Sequence, residues 1–559
     1  MTAPSVSLSE APGPLSVARG APRGSLLAGW RLDAALAAGL MAGAALIRLP
    51  YLLQAPRFTD EVHEILLAVK IAHGSALPLT NVTTFIGAFY NYLLAALFVI
   101  FGQHETIPRL VVFVGGVATV GVVYGLGRTL GGRLAGVLAA ALLAVSAEHV
   151  LLNSHVAWSV CLSPLFVAGT TWTLVLATRA APTEANWRGR GAWLLAGPLA
   201  GLALQTHGTV STILVGLVLY AAWAGRRWLR TPWPWLSAAL LALFYSNMIL
   251  YNALSGLGTL RGVRVALGGT ELTNDPPQAT GLAAWPGNFA HLAGGLARVL
   301  GSAVLPSTSG LDLAFATLVT LLALAGIVHA LRAGHGLPVA ALLSAVALMP
   351  LLNGDYAPVL SSRYIVPLAL LGFVLVALLL AHLIQRGGVA RSAAWALAVL
   401  LLAIPLVSLG RYYALAEASG CTNQPQFALV DQLQVLARPG ERILLDRATL
   451  QPAERLAWLY LLTMRQAPVD SFWLSATQVP IERAKPGSSL MLLRDDGALL
   501  TDLLPLEQRQ GLTPTQGLTP ASPELGPLRS HFGVYRVTTS QATQLLHLPV
   551  SRCDAVDLN

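Results

Sequence analysis

Long apolar runs separated by short polar connections dominate the sequence up to about residue 410. A helix that crosses the hydrocarbon layer of a membrane needs roughly 20 apolar residues, and eleven runs approach that length. We therefore predict an all-α polytopic membrane domain with about eleven transmembrane helices. The runs lie near residues 33–50, 110–127, 134–152, 160–178, 192–206, 209–224, 235–252, 311–331, 337–352, 365–384 and 393–410.

One further apolar run, FYNYLLAALFVIFG at residues 89–102, is shorter than the others. A run of that length is more typical of an interfacial or re-entrant segment than of a span. If it crossed the membrane, every later cluster of arginines would change sides. We therefore predict a helix that lies against the outer membrane surface, and the first external loop then extends over residues 51–109.

Basic residues fall in every second connection between the predicted spans. Loops that face the cytoplasm carry the excess of Lys and Arg, so this alternation predicts a cytoplasmic N-terminal tail, residues 1–31, in an inner or plasma membrane. An odd number of spans places the C-terminal part outside. The arginines concerned are Arg19, Arg23, Arg31, Arg128, Arg133, Arg179, Arg188, Arg190, Arg226, Arg227, Arg230, Arg332, Arg386 and Arg391.

The composition agrees with a large membrane domain followed by a soluble one. The 559 residues are 55% hydrophobic and 11% charged, and the mean hydropathy is +0.63, which is more apolar surface than one soluble core can bury. The first 410 residues carry a net charge of +10 and the rest carry −1, which together give the total of +9. The positive charge is thus explained by topology and gives no reason to predict a nucleic-acid partner.

These patterns divide the chain into two domains. Residues 32–410 form the transmembrane domain, which includes a second long external loop at residues 253–310. Residues 411–559 contain the strand-like stretches PGERILLD, SSLMLLRDD and FGVYRVTT, so we predict a small extracytoplasmic α/β or α+β domain there. Cys421 and Cys553 both fall in it, and the sequence leaves open whether they form a disulfide.

The most charged segment of the first external loop is RFTDEVHEI, residues 57–65. If Thr59 caps a helix, then Asp60, His63 and Glu64 stand at positions i, i+3 and i+4 and share one face. That face would offer metal ligands or proton acceptors. The same pattern also fits an ordinary helix start, whose acids complement the helix dipole.

Polar residues recur at the predicted outer ends of other spans. Each one alone fits an interfacial residue whose hydrogen bonds are satisfied. Together with the acidic motif they indicate a polar chamber that opens at the outer leaflet. They are Asn153, Ser154, His155, Ser159, Gln205, Thr206, His207, Asn353, Asp355 and Arg363.

Five motifs in this order resemble the GT-C membrane glycosyltransferases, especially bacterial family 39 relatives of the protein O-mannosyltransferases and the lipid A aminoarabinose transferase. The resemblance covers roughly residues 45–385 and implies the GT-C fold. It also implies an inverting enzyme that moves a hexosyl or pentosyl group from a polyprenyl phosphate donor to an external protein, lipid or polysaccharide acceptor. The motifs are TDEVHEI, IPRL at 107–110, GRTLGGRLAGVLAAALLAVSAEHVLLNSHVAWS at 127–159, LQTHG at 204–208 and SSRYIVPLALL at 361–371.

The resemblance implies roles for individual residues. Asp60 would be the catalytic carboxylate, with Glu61 beside it, and Arg363 occupies the position of the family's Arg-Tyr pair. The candidates for binding the carrier phosphate or the substrate are Arg363, Tyr364, His207, Arg261 and Arg264.

Many members of the family also use a divalent metal. The candidate ligands in this chain are Asp60, His63, Glu64 and His155. Two departures leave metal dependence and acceptor type open. The chain has TTFIGAFYNY where relatives carry Glu-Lys-Pro, and it has His155, Trp158 and Ser159 where many carry an aspartate.

The chemistry of such a transfer calls for both signs of charge. A carboxylate near the anomeric carbon removes the acceptor proton or stabilises an oxocarbenium-like state, and a cation stabilises the departing phosphate. A transporter or flippase of a lipid-linked sugar is the alternative. Transporters tend to place polar groups near the bilayer midplane and often contain repeats, whereas the polar groups of this chain cluster at outer span ends.

Overall fold

A computed structural model of the chain describes residues 23–56, 58, 61–183, 186–267, 280–302, 310–354, 356, 361–418, 422–424, 426–427, 430–431, 442–445, 452–466, 472–473, 490–495 and 532–537. The predicted catalytic Asp60 and both C-terminal cysteines lie outside these residues. The helices are α1 (Arg23–Arg48), α2 (Glu61–Ala72), α3 (Phe89–Phe101), α4 (Thr106–Val145), α5 (Ala147–Val150), α6 (Ser163–Arg179), α7 (Trp187–Thr206), α8 (Val210–Ala224), α9 (Trp233–Phe244), α10 (Ser246–Ser255), α11 (Gly258–Leu267), α12 (Trp285–Leu300), α13 (Gly310–Arg332), α14 (Gly336–Leu352), α15 (Val366–Arg386), α16 (Gly388–Ala418) and α17 (Pro452–Met464).

Helix α4 contains the second and part of the third predicted span. Its backbone leaves helical geometry at Gly131 and at Gly132, where φ is +83°, a value that glycine adopts far more readily than other residues. A Cβ atom added to Gly136 would lie 2.8 Å from the carbonyl oxygen of Tyr124. In a straight helix these residues would be about 18 Å apart, so the chain reverses at the glycine pair and the two halves run back along each other.

Polar contacts join the two ends of α1 to the glycine turn of α4 and to the segment at the end of α4. Asp33 of α1 forms ion pairs of 2.5 Å and 2.8 Å with Arg128 and Arg133, which flank the glycine pair. At the other end of α1, the fully buried Arg48 donates to the carbonyl oxygen of Ala144 and to Nδ1 of His149. We refer to the two ends of the helical bundle as the Arg128 end and the Arg48 end.

Helix α15 lies at the centre of the bundle. Its side chains are buried almost without interruption from Val366 to Ala381, as expected of a helix that is apolar on all sides. It packs against α4, α13 and α16. A helix surrounded in this way gives the residues that precede it, 361–364, a fixed place at the Arg48 end.

The predicted spans coincide with helices, but their predicted number is not established. Of the described helices, six are long and apolar enough to cross a membrane, or seven if α9 and α10, which meet at 62°, form one bent span. Helices α3, α8 and α14 are shorter apolar helices. These helices are those of a multi-pass membrane protein, while the count of eleven and the sidedness of the termini stay predictions.

The described part of the C-terminal region contains a mixed four-stranded sheet in the order β2-β1-β3-β4. Its strands are β1 (Arg442–Leu445), β2 (Phe472–Trp473), β3 (Leu490–Asp495) and β4 (Phe532–Val537). Strand β1 is parallel to β2 and β3, and β3 is antiparallel to β4, with Leu492 opposite Tyr535. Three of the strands match the predicted stretches. That they belong to a separate extracytoplasmic domain stays a prediction.

Candidate functional site

Glu61 begins α2 and is fully buried against a buried arginine. Its Oε1 lies 2.6 Å from Nη2 of Arg109, and neither side chain is exposed. Its Oε2 accepts the backbone N–H of Ala157. Arg109, near the start of α4, also donates to the carbonyl oxygens of Leu52 and Pro56. The Glu61–Arg109 pair therefore joins the first external loop to α4 and to the segment that follows α5.

Glu64 lies one turn further along α2, on the same buried face. Its Oε2 accepts the backbone N–H of Ser159 at 2.8 Å, and its Oε1 accepts the hydroxyl of the same residue at 3.0 Å. Burial raises the pKa of this carboxyl to about 7, against the opposing effects of the Ser159 bonds and of the positive charge of Arg363. At neutral pH Glu64 therefore exists in both protonation states, as groups at functional sites often do.

The raised pKa of Glu64 predicts how stability depends on pH. The folded protein binds this proton more tightly than the unfolded chain, so the free energy of unfolding should fall as pH rises from about 4.5 to about 7. A shift of that size corresponds to about 3 kcal/mol. Glu64→Gln resembles the protonated form at every pH. We expect the unfolding temperature of the variant to equal that of the wild type at pH 5 and to be higher at pH 8. If the unfolding temperatures of both proteins changed equally with pH, the raised pKa of Glu64 would be contradicted.

Arg363 lies in the short 3₁₀ turn Ser361–Tyr364 that precedes α15. Its guanidinium carbon is 4.5 Å from the ring centroids of both Trp158 and Tyr364, and Nη2 donates to the Tyr364 hydroxyl at 2.6 Å. Trp158 is the neighbour of Ser159, which holds Glu64. The acidic helix α2 and the basic turn therefore meet at residues 157–159.

A buried acid holds the turn that carries Arg363. Oε2 of Glu148, in the short helix α5, accepts the hydroxyl of Ser362 at 2.9 Å, and both residues are almost completely buried. The bond joins the segment after α4 to the start of α15. The placement of Arg363 therefore depends on Glu148 as well as on its own aromatic contacts.

His207, which follows α7, lies beside the same turn. Its ring centroid is 4.7 Å from that of Tyr364 and 5.6 Å from that of Phe85, and its Nδ1 accepts the backbone N–H of Thr209. Burial, assisted by the charge of Arg363, lowers the pKa of His207 to about 3. The imidazole is thus neutral at physiological pH and offers a ring surface and a hydrogen bond, while the positive charge comes from Arg363.

The predicted common face of Asp60, His63 and Glu64 is corrected by the structure. Glu64 is buried, whereas the side chain of His63 is exposed. Consecutive helical residues point about 100° apart. Glu61, three residues before Glu64, therefore lies on the same buried face, whereas His63 points to the exposed side of the helix.

The predicted metal ligands that the structure describes, His63, Glu64 and His155, do not converge on one place. Nε2 of His155 lies 2.8 Å from the carbonyl oxygen of Arg48, and Nδ1 lies 3.2 Å from the hydroxyl of Tyr413, so both ring nitrogens have partners. His63 points away from Glu64, and Asp60 is outside the described residues. Within the described part of the chain, no group of three or more His, Cys, Asp or Glu side chains could hold a metal.

Arg261 and Arg264 are exposed residues of α11. This helix contacts the first external loop, because the hydroxyl of Thr259 donates to the carbonyl oxygen of Thr84 at 3.1 Å. The next residue, Phe85, is the one that packs against His207. The two arginines therefore lie on an element beside the site, and their predicted contact with substrate stays a prediction.

Two buried charged residues of the site were not predicted from the sequence. Arg109 is part of the motif IPRL, and a charge at the start of an apolar run is a signal that could have identified it. Glu148 likewise stands in an apolar region, within the motif at 127–159. Neither position reveals its partner, because Glu61 and Ser362 are distant in the sequence.

The chain is similar to one protein-family model and to several solved structures. A protein-family model described as dolichyl-phosphate-mannose-protein mannosyltransferase matches residues 87–251. The crystal structure of ArnT from Cupriavidus metallidurans bound to undecaprenyl phosphate matches with a TM-score of 0.52 and 14% identity, over 93% of this chain and 99% of that one. The apo structure of the same protein gives 0.53 and 13%, over 94% and 100%.

A third structure is less similar. The oligosaccharyltransferase of Archaeoglobus fulgidus in complex with Zn and sulfate matches with a TM-score of 0.44 and 16% identity, over 77% of this chain and 62% of that one. No curated protein matches the sequence. The resemblance to the GT-C glycosyltransferases of the protein O-mannosyltransferase and ArnT type is confirmed, and the chain has an ArnT-like GT-C fold.

Proposed function

We propose that the chain is an inverting glycosyltransferase that moves a hexosyl or pentosyl group from a polyprenyl phosphate carrier to an acceptor on the external face of the membrane. One observation carries the proposal. Buried Glu64 and the cation Arg363 meet around residues 157–159 at one end of a membrane bundle with an ArnT-like fold, close enough for the charge of Arg363 to affect the pKa of Glu64. An acid and a cation, the two kinds of group that the transfer requires, are thus present at one site.

The acidic half of the site would act on the acceptor and the sugar. Asp60 directly precedes Glu61, whose ion pair with Arg109 fixes the start of α2. We assign to Asp60 the removal of the acceptor proton as the new glycosidic bond forms at the anomeric carbon. Glu61 is already held by Arg109 and Ala157, so its role is to position Asp60. Glu64 adds negative charge that would stabilise an oxocarbenium-like sugar.

The basic half would act on the leaving group. As the bond between the sugar and the phosphate breaks, negative charge grows on the carrier phosphate, and Arg363 would stabilise it through charge-assisted hydrogen bonds. Its side chain is partly exposed and lies between two aromatic rings. His207 is neutral and would contact the sugar or the phosphate without adding charge. His63, Glu64 and His155, the predicted metal ligands that the structure describes, do not converge, and we assign no step to a metal.

The comparisons support the class of donor. The matched ArnT structure binds undecaprenyl phosphate, and the matched family model is described by a lipid-phosphate-linked mannose. A lipid-linked donor also suits a site at one end of a helical bundle, because the polyprenyl tail can stay in the bilayer while its head group reacts. The acceptor is a protein, a lipid or a polysaccharide.

A transfer assay in vesicles tests the proposal. The purified protein is reconstituted with labelled polyprenyl phosphate sugars and a mixed acceptor extract, and the wild type is compared with the double variant Asp60→Asn/Arg363→Ala. We expect label to leave the carrier and to appear on an acceptor in the wild type alone. Equal transfer by both proteins would reject the assigned site. Label that crosses the bilayer while still attached to its carrier would identify a flippase instead.

Substitution of Arg363 should weaken donor binding. Loss of charge-assisted hydrogen bonds to phosphate by Arg363→Ala should raise the Kd for polyprenyl phosphate by about 10- to 100-fold. Arg363→Lys should recover part of the affinity, because lysine keeps the charge but lacks the planar group that stacks on Trp158. The quenching of tryptophan fluorescence on titration with the lipid measures Kd. Arg386→Ala, at the other end of α15, is the control, and an unchanged Kd for Arg363→Ala would contradict the role.

A further inference from the structure

One asparagine from beyond the last long helix binds the backbone that leads into the acidic motif. Oδ1 of Asn423 accepts the N–H of Phe58 at 2.9 Å, and its Nδ2 donates to the carbonyl oxygens of Leu53 at 2.9 Å and Pro56 at 3.1 Å. Its own backbone N–H donates to the carbonyl oxygen of Gln54 at 2.8 Å. Asn423 is fully buried. All four bonds go to backbone groups of one short segment, residues 53–58.

Other C-terminal side chains contact the same loop. Phe58 packs edge-on against Phe427 and Tyr460, with ring centroids 5.8 Å and 5.1 Å apart. The hydroxyl of Tyr460 donates to the carbonyl oxygen of Glu105, and Nη2 of Arg465 lies 2.7 Å from the Glu105 carboxylate. The C-terminal residues thus contact both the start and the end of the first external loop.

The segment 53–58 is also held from the side of the membrane helices. Arg109 of α4 donates to the carbonyl oxygen of Pro56, which also accepts from Asn423. Arg109 in turn pairs with Glu61. Since Asp60 lies between the segment and Glu61 in the sequence, a shift of the segment would move the carboxylates of the motif.

We propose that Asn423 is a positioning residue, and that Asn423, Phe427, Tyr460 and Arg465 form a C-terminal clamp that fixes the first external loop for the reaction. Only an amide side chain supplies the two donors and the acceptor that the segment requires at this place. Asn423 acts through the loop and does not itself touch substrate. A catalytic group displaced by about 1 Å can lose about 100-fold in rate, so the clamp sets the turnover number. The effect of the clamp on turnover rests on the proposed function.

Hydrogen exchange tests the clamp without any substrate. The full-length protein in detergent is compared with Asn423→Ala, Asn423→Asp and the control Gln424→Ala, which alters the exposed neighbouring residue. We expect the amide of Phe58 to exchange at least about tenfold faster in Asn423→Ala, a loss of at least about 1.4 kcal/mol of protection. Asn423→Asp should be intermediate, because it keeps the acceptor for Phe58 and loses both donors. Wild-type exchange in Asn423→Ala would overturn the proposal.

Steady-state transfer separates positioning from donor binding. Arg363 lies on a turn held by Glu148, so we expect Asn423→Asp to lower kcat by about tenfold or more and to leave KM for the polyprenyl phosphate sugar unchanged. A raised KM with normal kcat would refute the positioning role. If Asn423→Ala does not fold, hydrogen exchange at Phe58 and steady-state transfer in Asn423→Asp test the proposal instead. If the wild type transfers no sugar, the proposed function fails, while the exchange result still decides the clamp.

Discussion

Arg109→Ala should lower the free energy of unfolding by about 3–5 kcal/mol, the cost typical of removing one partner of a buried ion pair. The substitution leaves the fully buried carboxylate of Glu61 without its cation at 2.6 Å. It also removes the donors to the carbonyl oxygens of Leu52 and Pro56 and the contact of the guanidinium with the ring of Phe58, 4.9 Å away. The variant would thus lose the Glu61–Arg109 pair, which joins the first external loop to the start of α4 and to the segment at Ala157.

Thermal unfolding in detergent, followed by size-exclusion chromatography of the remaining folded protein, measures this effect. Arg332→Ala is the control, because that arginine is exposed at the end of α13, and its loss should cost distinctly less. Glu61→Gln/Arg109→Met removes both charges and should recover part of the stability lost by Arg109→Ala. A cost no larger than that of Arg332→Ala would show that the buried pair does not stabilise the loop.

The positions of the helices were predictable from the sequence because they depend on local hydrophobic pattern. Each predicted apolar run falls on a helix, and the short run at 89–102 is the separate helix α3. The reversal inside α4 also has a local cause, since Gly131 and Gly132 permit a backbone that other residues avoid. The number of helices that cross a membrane depends on the bilayer as well, and length and composition alone select six or seven of the described ones.

The site was only partly predictable, because its contacts join distant parts of the chain. The sequence indicated Glu64, His207 and Arg363 as neighbours of one polar chamber, and the structure brings them close together around residues 157–159 and Tyr364. The sequence alone could not show that His63 is exposed and Glu64 buried, because both are polar residues in one helical turn. Contacts across 365 residues, such as that between Asn423 and Phe58, leave no local pattern at all.

The contacts of Glu61 favour a different role for it than for its neighbour Asp60, which lies outside the described residues. Glu61 was predicted as a catalytic residue together with Asp60. Its side chain is fully buried, paired with Arg109 and bonded to Ala157, which are the contacts of a residue that holds the fold. A group that takes a proton from an incoming acceptor has to reach that acceptor, so we propose that Asp60, and not the buried Glu61, takes it. We therefore expect substitution of Asp60 to impair catalysis and substitution of Glu61 to impair stability.

Asp60→Asn should lower the rate of sugar transfer by about 10²- to 10⁴-fold, the range for loss of a general base, with no change in thermal unfolding. Glu61→Gln should lower the unfolding temperature, because Arg109 would keep a buried charge without a counter-ion, and should lower activity only in proportion to the folded protein lost. Single-turnover transfer, normalised to the folded fraction, measures both. Near-normal transfer by Asp60→Asn would reject Asp60 as the base. A normal unfolding temperature for Glu61→Gln, with transfer abolished, would instead return the catalytic role to Glu61.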